Sequence, residues 1–301
     1  MHAPNSENLM PIGAAVELLR AQHPDVTHSS LRFLEREGLV SSTRTDGGHR
    51  LYARADIEHI LLIKNWQRQG HSLEEIRGFL AERSALKDPA LLSRDFLDLG
   101  LASQLERAGQ LILQADRIGM DPDVIFFDVL QPALARLGEK WANGTASVHQ
   151  EKEISVLCRE LVTEITLRHS VDPLTDTVFI SACAPGEKHE IGIIMVNGLL
   201  RQRGHRVRYL GPDVATVFLI EAIKANIPKA ILLSSTVEES FSGCLKAVDA
   251  INEQWPGERS PLIIVGGEIA ARHAQELVEL GAAPIRDVRM IVRLEELLAP
   301  Q

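Results

Sequence analysis

A chain of 301 residues, 45% hydrophobic and 24% charged, has the composition of an ordinary globular protein and length enough for two or three cores. Its net charge of −9 disfavours nonspecific polyanion binding as a bulk property, and its three cysteines, Cys158, Cys183 and Cys244, lie in no paired spacing, which disfavours a disulfide framework or a structural zinc. No apolar run reaches membrane-spanning length and no positive-then-apolar start is present, so neither insertion nor secretion is expected, and a cytoplasmic location is.

The acidity is uneven. Residues 1–85 hold ten Arg and Lys against eleven Asp and Glu, with six of the eleven histidines, so this part is near neutral and can carry a local basic face. Residues 1–8 read as a disordered tail. A short apolar helix follows over Ile12 to Leu19 and is broken at Pro24-Asp25; a second starts after the N-cap Thr27 and stops at Gly38. Two short helices across a tight break form a helix-turn-helix pattern. Thr43 to Tyr52 then reads as a hairpin, with Asp46-Gly47-Gly48 at the turn and Arg44 and Arg50 flanking it, which makes a winged helix. Asp56 is expected to cap the next helix, which halts at Gly70, and Ser72-Leu-Glu-Glu75 is a capping box opening Ile76 to Arg83.

These residues resemble the N-terminal domain of MerR-family transcription regulators, through Leu31-Arg32-Phe33-x-Glu35-Arg36-x-Gly38-Leu39 and then Gly47-Gly48-His49-Arg50-Leu51-Tyr52. The resemblance covers about residues 9–84. It implies that the helix with His28, Ser29, Arg32 and Arg36 enters the major groove of operator DNA, while Arg44, His49, Arg50 and Tyr52 approach phosphates from the wing. Arginines and short hydroxyls suit base edges and phosphates, and wing arginines supply the salt-sensitive part of affinity.

Lys87-Asp88-Pro89 reads as a linker. From 88 to 170 nearly everything is helical, over Leu91 to Leu99, Ala102 to Asp116, Pro122 to Trp141 and Val148 to His169, with Asp121-Pro122 and Ser147-x-x-Gln150 as caps. A four-helix bundle is expected here, and dimerisation or spacing is its simplest role.

From 175 to 301 strands alternate with helices: Thr177 to Ala182, Arg206 to Leu210, Ala230 to Ser234, Leu262 to Val265 and Pro284 to Arg286, with a last helix over Ile291 to Leu298. That order implies a doubly wound, Rossmann-like parallel sheet, so the whole is a multidomain chain of α and α/β parts. The loop from Cys183 to Gly192 leaves the first strand at the sheet's ligand-facing edge, and Gly211-Pro212-Asp213 is a further lining loop. Within Glu187-x-His189-x-x-Gly192, His189 can offer one ring nitrogen to a metal while a carboxylate holds the other and fixes the tautomer; Gly192 lets a bulky group pass close to the backbone.

This triplet resembles the Asp-x-His-x-x-Gly signature of cobalamin-binding domains, with Glu in place of Asp. Its downstream parts follow in order: Ser234, with 41 residues between it and Gly192, and then Gly266-Gly267, each at a strand end. The chain departs from that pattern in having Ser234-Ser235-Thr236 where the family has Ser-x-Leu. The resemblance implies a base-off cobalamin, with His189 as lower axial cobalt ligand and the cofactor's tail running past Gly192 toward Ser234, Gly266 and Gly267.

The bundle is similar to that of the CarH/LitR class of light-responsive MerR regulators, through Trp141, Val148 and Glu151, with nine residues between Trp and Glu. The resemblance implies that Trp141 and Val148 shield an axial adenosyl group and that Glu151 bonds its ribose, so adenosylcobalamin is the expected form. Two positions depart from the class: Lys152 stands where it has His, and Ala142 where a second imidazole would take the upper cobalt position. A regulator rather than an enzyme is expected, a homodimer or tetramer repressing through operator DNA and switched by light. Light-independent sensing of cobalamin or of another tetrapyrrole chromophore is the alternative, and a corrinoid carrier for a methyltransferase a third.

Overall fold

The computed structural model describes residues 9–285 apart from 46, 85–87, 175 and 257–260. The expected tail, Asp46 of the hairpin turn, Lys87 of the linker, Arg286 and the helix expected over Ile291 to Leu298 lie outside the described residues. The chain divides into two compact units, Met1–Leu86 with Arg117–Gly119, and Lys87–Asp116 with Met120–Gln301.

In the first unit β1 (Met10–Pro11) leads into α1 (Ile12–Arg20) and α2 (His28–Arg36), followed by β2 (Thr43–Arg44), β3 (Arg50–Tyr52), α3 (Arg54–Arg68) and α4 (Leu73–Ser84). Thr27 and Ser30 exchange side-chain and backbone bonds of 2.9 and 3.1 Å, a reciprocal cap that fixes where α2 starts. Gly38 follows α2 at φ +70, where only glycine is unstrained. Leu31 and Leu34 turn inward to meet Ala15, Val16, Leu19, Ile60, Ile63 and Trp66. The hairpin of β2 and β3 is joined by β1, which pairs Met10 with Tyr52, so the wing is a three-stranded sheet rather than a bare hairpin. The expected cap at Asp56 is corrected: α3 begins at Arg54, and Asp56, in the first turn, accepts from the Ala53 amide at 2.7 Å. Ser72 and Glu75 do form the expected box, with the Ser72 amide donating to Glu75 at 2.8 Å.

The second unit opens with α5 (Pro89–Leu101) and α6 (Leu105–Arg117), whose last residue, Arg117, belongs to the first unit. The third rod was expected as one regular helix. It is instead α7 (Pro122–Val124), a π-helical segment (Ile125–Leu130) and α8 (Gln131–Ala142). Pro132 has no amide to give the carbonyl four residues back, which favours a register shift there. Ser93 donates its hydroxyl to the Val129 carbonyl at 2.5 Å and accepts from Arg136 at 2.6 Å, so buried polar groups brace the segment. The fourth rod is α9 (Val148–His169), capped reciprocally by Ser147 and Gln150.

The remainder alternates β4 (Val178–Cys183), α10 (Ile191–Gln202), β5 (Arg206–Tyr209), α11 (Thr216–Asn226), β6 (Ala230–Ser234), α12 (Glu238–Gln254), β7 (Leu262–Gly266), α13 (Glu268–Arg272), α14 (Ala274–Glu279) and β8 (Ala283–Pro284). All neighbouring strands are parallel, in the order β5-β4-β6-β7-β8, a doubly wound arrangement that reverses direction beside β4. Strand β4 alternates its side chains: Phe179 and Cys183 face the core under α10, and Ile180 and Ala182 face that under α11 and α12. Helix α9 packs on α10 at Gly198, where a Cβ would come within 2.4 Å of Thr166 Oγ1 and 3.2 Å of the Phe126 ring. This close approach seats the C-terminal half of α9 and the π segment on the sheet layer.

Candidate functional site

The loop after β4 is braced before it presents anything. The Ala184 amide donates to the Ser234 carbonyl at 2.9 Å, the Gly186 amide to Asp213 Oδ1 at 2.6 Å, and the Asp213 amide to the Glu187 carbonyl at 2.8 Å. These bonds make the Gly211-Pro212-Asp213 turn a brace for the loop, with Asp213 at φ +50.

Glu187 is fully buried, and all its partners are accounted for. Oε1 accepts from the His189 ring at Nδ1, 2.6 Å, and from the His189 amide at 2.8 Å. Oε2 accepts from the Thr236 amide, from the Val237 amide at 3.2 Å and from the Ser240 hydroxyl at 3.1 Å. Those two amides stand at the start of the 17-residue α12, where backbone N–H groups and the helix dipole favour negative charge. Burial alone would push the carboxyl up, but the bonds from His189 and Thr236 outweigh it and hold Glu187 at about 2.

His189 is the loop's exposed end, its side chain 64% exposed. The bond to Glu187 raises its pKa above the ordinary value, against the opposing pull of burial. With Nδ1 occupied as a donor, Nε2 has no hydrogen-bond partner among the described residues and is the nitrogen available to a metal. No group of three His, Cys, Asp or Glu able to hold a metal ion occurs among the described residues. A lone imidazole suits a metal whose other ligands arrive with its own macrocycle.

Two glycines leave room at this edge. A Cβ on Gly192 or on Gly266 would meet nothing within 4 Å, and Ser234 ends β6 between them in the sheet order. Gly267 is different: it sits at φ +114, and a Cβ there would come within 2.1 Å of the Ser235 carbonyl oxygen, so glycine is needed for β6 and β7 to approach.

From the bundle side, Trp141 in the last turn of α8 is 52% exposed and Val148 at the start of α9 is 61% exposed. Val148, Glu151, Lys152, Ser155 and Arg159 follow one side of α9 at helical spacing. The charges of Lys152 and Glu151 are felt at the His189 ring, and Glu151 itself bonds Lys152 and Ser155, each at 3.0 Å. Ala142 is exposed, and His149 bonds Ser147 Oγ through Nδ1 at 3.0 Å.

On the other unit, α2 exposes His28, Ser29, Arg32 and Arg36, with the Arg36 guanidinium 5.4 Å from the Phe33 ring. Arg44 and His49 are exposed on the wing. Glu35 joins these elements, accepting from Ser42 at 2.8 Å and from Arg50 Nε at 2.5 Å, with Arg44 at 3.9 Å. Arg50 is thus partly buried in an internal ion pair. Tyr52 corrects its expected place at the phosphates. It is fully buried and its hydroxyl has no partner among the described residues, because β3 alternates and turns that ring into the core beneath α1 and α3.

Residues 11–83 match the family model of MerR HTH family regulatory proteins, and residues 177–291 match that of the B12 binding domain. The chain is a MerR-type transcriptional regulator with a B12-binding domain. It is homologous to two Myxococcus xanthus proteins, the HTH-type transcriptional repressors CarH, at 27% identity over 87% of each chain, and CarA, at 25% identity over 87% of this chain and 89% of that one. Among solved structures, the Methanosarcina barkeri monomethylamine corrinoid protein superposes with a TM-score of 0.58 at 19% identity, covering 68% of this chain and 96% of that one, a likeness of fold.

In this regulator the structure brings Glu187, His189, Gly192 and Ser234 to one sheet edge with Gly266 and Gly267, and places Glu151 near enough to His189 for its charge to be felt. A lone braced imidazole, open space over two glycines and exposed apolar side chains on the bundle fit a cobalamin. Not evident from the sequence were Ser240, the Thr236 and Val237 amides as donors to Glu187, Asp213 as a brace and Glu35 as a hub. Only the helix start after Val237 carried a local signal. Among the described residues no helix is long and apolar enough to cross a membrane.

Proposed function

We propose that this regulator is a light-responsive repressor that binds adenosylcobalamin and releases operator DNA when the cofactor is photolysed. The observation that carries the reading is the Glu187–His189 pair. A fully buried carboxylate with five donors fixes the Nδ1–H tautomer and leaves Nε2 on an exposed ring. His189 would hold the cobalt, and Gly192, Ser234, Gly266 and Gly267 would line the space for the rest of the cofactor. From the bundle, Trp141 and Val148 would exclude water from the upper face, and Glu151 would accept a hydrogen bond from an adenosyl ribose. The cofactor supplies a photolabile cobalt–carbon bond. Everything else belongs to the chain: Glu187 keeps the proton at Nδ1, and Trp141 and Val148 would shield the bound cofactor from water.

On the DNA side, one head reads a half-site, so a dimer or tetramer is proposed to present several heads from α2 and the wing. Several heads on one operator raise effective concentration without new base contacts, so a change of oligomer switches occupancy. The names of the two Myxococcus relatives, both repressors, support the sign.

The test is to add adenosylcobalamin to the full chain and record absorbance, elution volume and operator gel shift, in darkness and after green light. A bound spectrum, a larger species and retarded operator in the dark, all reversed by light, are expected. Ala142 favours a second reading, cobalamin sensing without light, because alanine offers no donor to retain a displaced upper face. Operator binding that depends on cobalamin and is identical in dark and light would select it.

A further inference from the structure

Helix α9 and the loop bearing His189 meet at one further contact. Arg159 Nη1 lies 3.5 Å from Glu190 Oε1. The two partners are held differently. Glu190 is 19% exposed, and its other oxygen accepts from the Tyr209 hydroxyl at 2.7 Å, so it is anchored to β5. Arg159 is 54% exposed and its guanidinium has no other partner among the described residues. An exposed arginine on an anchored carboxylate is a weak, salt-sensitive contact, able to bias an arrangement without locking it.

Position decides what it biases. Toward its C-terminal end α9 cannot lift: Thr166 and Phe126 approach Gly198 so closely that no side chain fits between. At its N-terminal end Val148 is 61% exposed, and Ala142, Asn143 and Gly144 before it are exposed too. Arg159 stands between these ends, 11 residues or about 16 Å along the helix from Val148, on the side that carries Glu151 and Lys152. On the proposed reading a planar group would lie between the N-terminal half of α9 and the loop, the two elements that the ion pair bridges.

We infer that Arg159 and Glu190 form a latch that ties α9 to the axial loop and opens to admit the cofactor. Both are positioning residues, and Tyr209 fixes Glu190 for Arg159. The inference rests on the proposal that cobalamin binds between α9 and His189, and it deepens that proposal by naming the entry step.

Stopped-flow mixing of hydroxocobalamin with cofactor-free full chain tests it, alongside hydrogen exchange of the cofactor-free protein. Arg159→Ala should speed uptake about two- to fivefold, the effect of losing one exposed ion pair, and leave the final spectrum unchanged. Glu190→Gln should match it, the double variant should be no faster than either single one, and added salt should speed only the wild type. Amides in residues 148–158 should exchange faster in Arg159→Ala, while those in 161–169 stay as they are. Uptake that is unchanged or slower in Arg159→Ala overturns the latch, as do additive effects in the double variant or exchange unaltered in 148–158. A wild-type chain that takes up no cobalamin at all overturns the binding proposal and the latch with it, so the two failures are told apart.

Discussion

Two carboxylates organise the two halves of this regulator, and they work in opposite ways. Glu187 is fully buried, takes amide, hydroxyl and imidazole donors, and as a result presents a histidine to solvent. Glu35 has a side chain 20% exposed, takes two arginines and a serine, and so withdraws Arg50 from the surface. Burial would raise the pKa of each, and the donors of each more than offset it. A carboxylate satisfied by an exposed donor makes a ligand available; one satisfied by cations consumes charges that the sequence offers to DNA.

The largest effect expected from breaking this comparison is at the presented ligand. His189→Ala should abolish or sharply weaken cobalamin binding, read by absorbance titration. It should lower the urea midpoint modestly, because the ring is mostly exposed but its Nδ1–H donor to the buried Glu187 is lost. Undiminished affinity would end the axial assignment. Glu187→Ala should do both kinds of damage. It leaves the Thr236 and Val237 amides without their acceptor in a partly buried site, at a cost of about 2–4 kcal/mol in urea unfolding, and it frees the imidazole tautomer, at a cost of roughly 10–100-fold in affinity.

The same carboxylate sets a pH dependence. A folded value of about 2 lies below the ordinary glutamate value, so its stabilisation is present above the unfolded pKa and is lost as pH falls through about 4 toward 2. Acid unfolding of wild type and Glu187→Ala should therefore converge at low pH, and parallel curves would show that the carboxylate is not held this way.

In the head the expected effects are smaller. Arg36→Ala should weaken operator binding by roughly 1–3 kcal/mol and lower the salt slope by about one. Arg50→Ala should act chiefly through a loosened wing, seen as a lower melting temperature of the free protein. An Arg50→Ala variant with unchanged melting but lost phosphate contacts would place Arg50 on the DNA after all. Least of all, Tyr52→Phe should leave DNA binding unchanged and stability equal or slightly higher, since the buried hydroxyl it removes has no partner among the described residues.

Much of this was legible along the chain because the signals are local. Apolar runs at strand length, helical spacing after each, the Ser147–Gln150 box and Gly38 after α2 all act within a few residues, and β4 to β7, the box and Gly38 lie within a residue of where they were read. The Glu187-x-His189 spacing is local too, and a carboxylate two residues away is the one that holds Nδ1. The π segment was readable only in part: Pro132 marks a broken ladder, but Ser93, which braces it, comes from another helix.

What the sequence by itself determined, then, is the order of elements, the two family signatures and the residue types offered at each end. Tertiary structure alone decided which of those residues remain free. Glu187 finds Thr236 and Ser240 only because β6 lies beside β4 in the sheet, and Asp213 reaches the loop because β5 lies on β4's other side. Arg50 meets Glu35 because the wing folds back on α2, and Tyr52 is buried because β1 pairs with β3 over the first core. Side-chain periodicity says that alternate positions face inward, but which face is inward depends on what packs there, and hydrogen-bond partners 15 to 53 residues apart are chosen by strand order and helix seating rather than by neighbours in the chain.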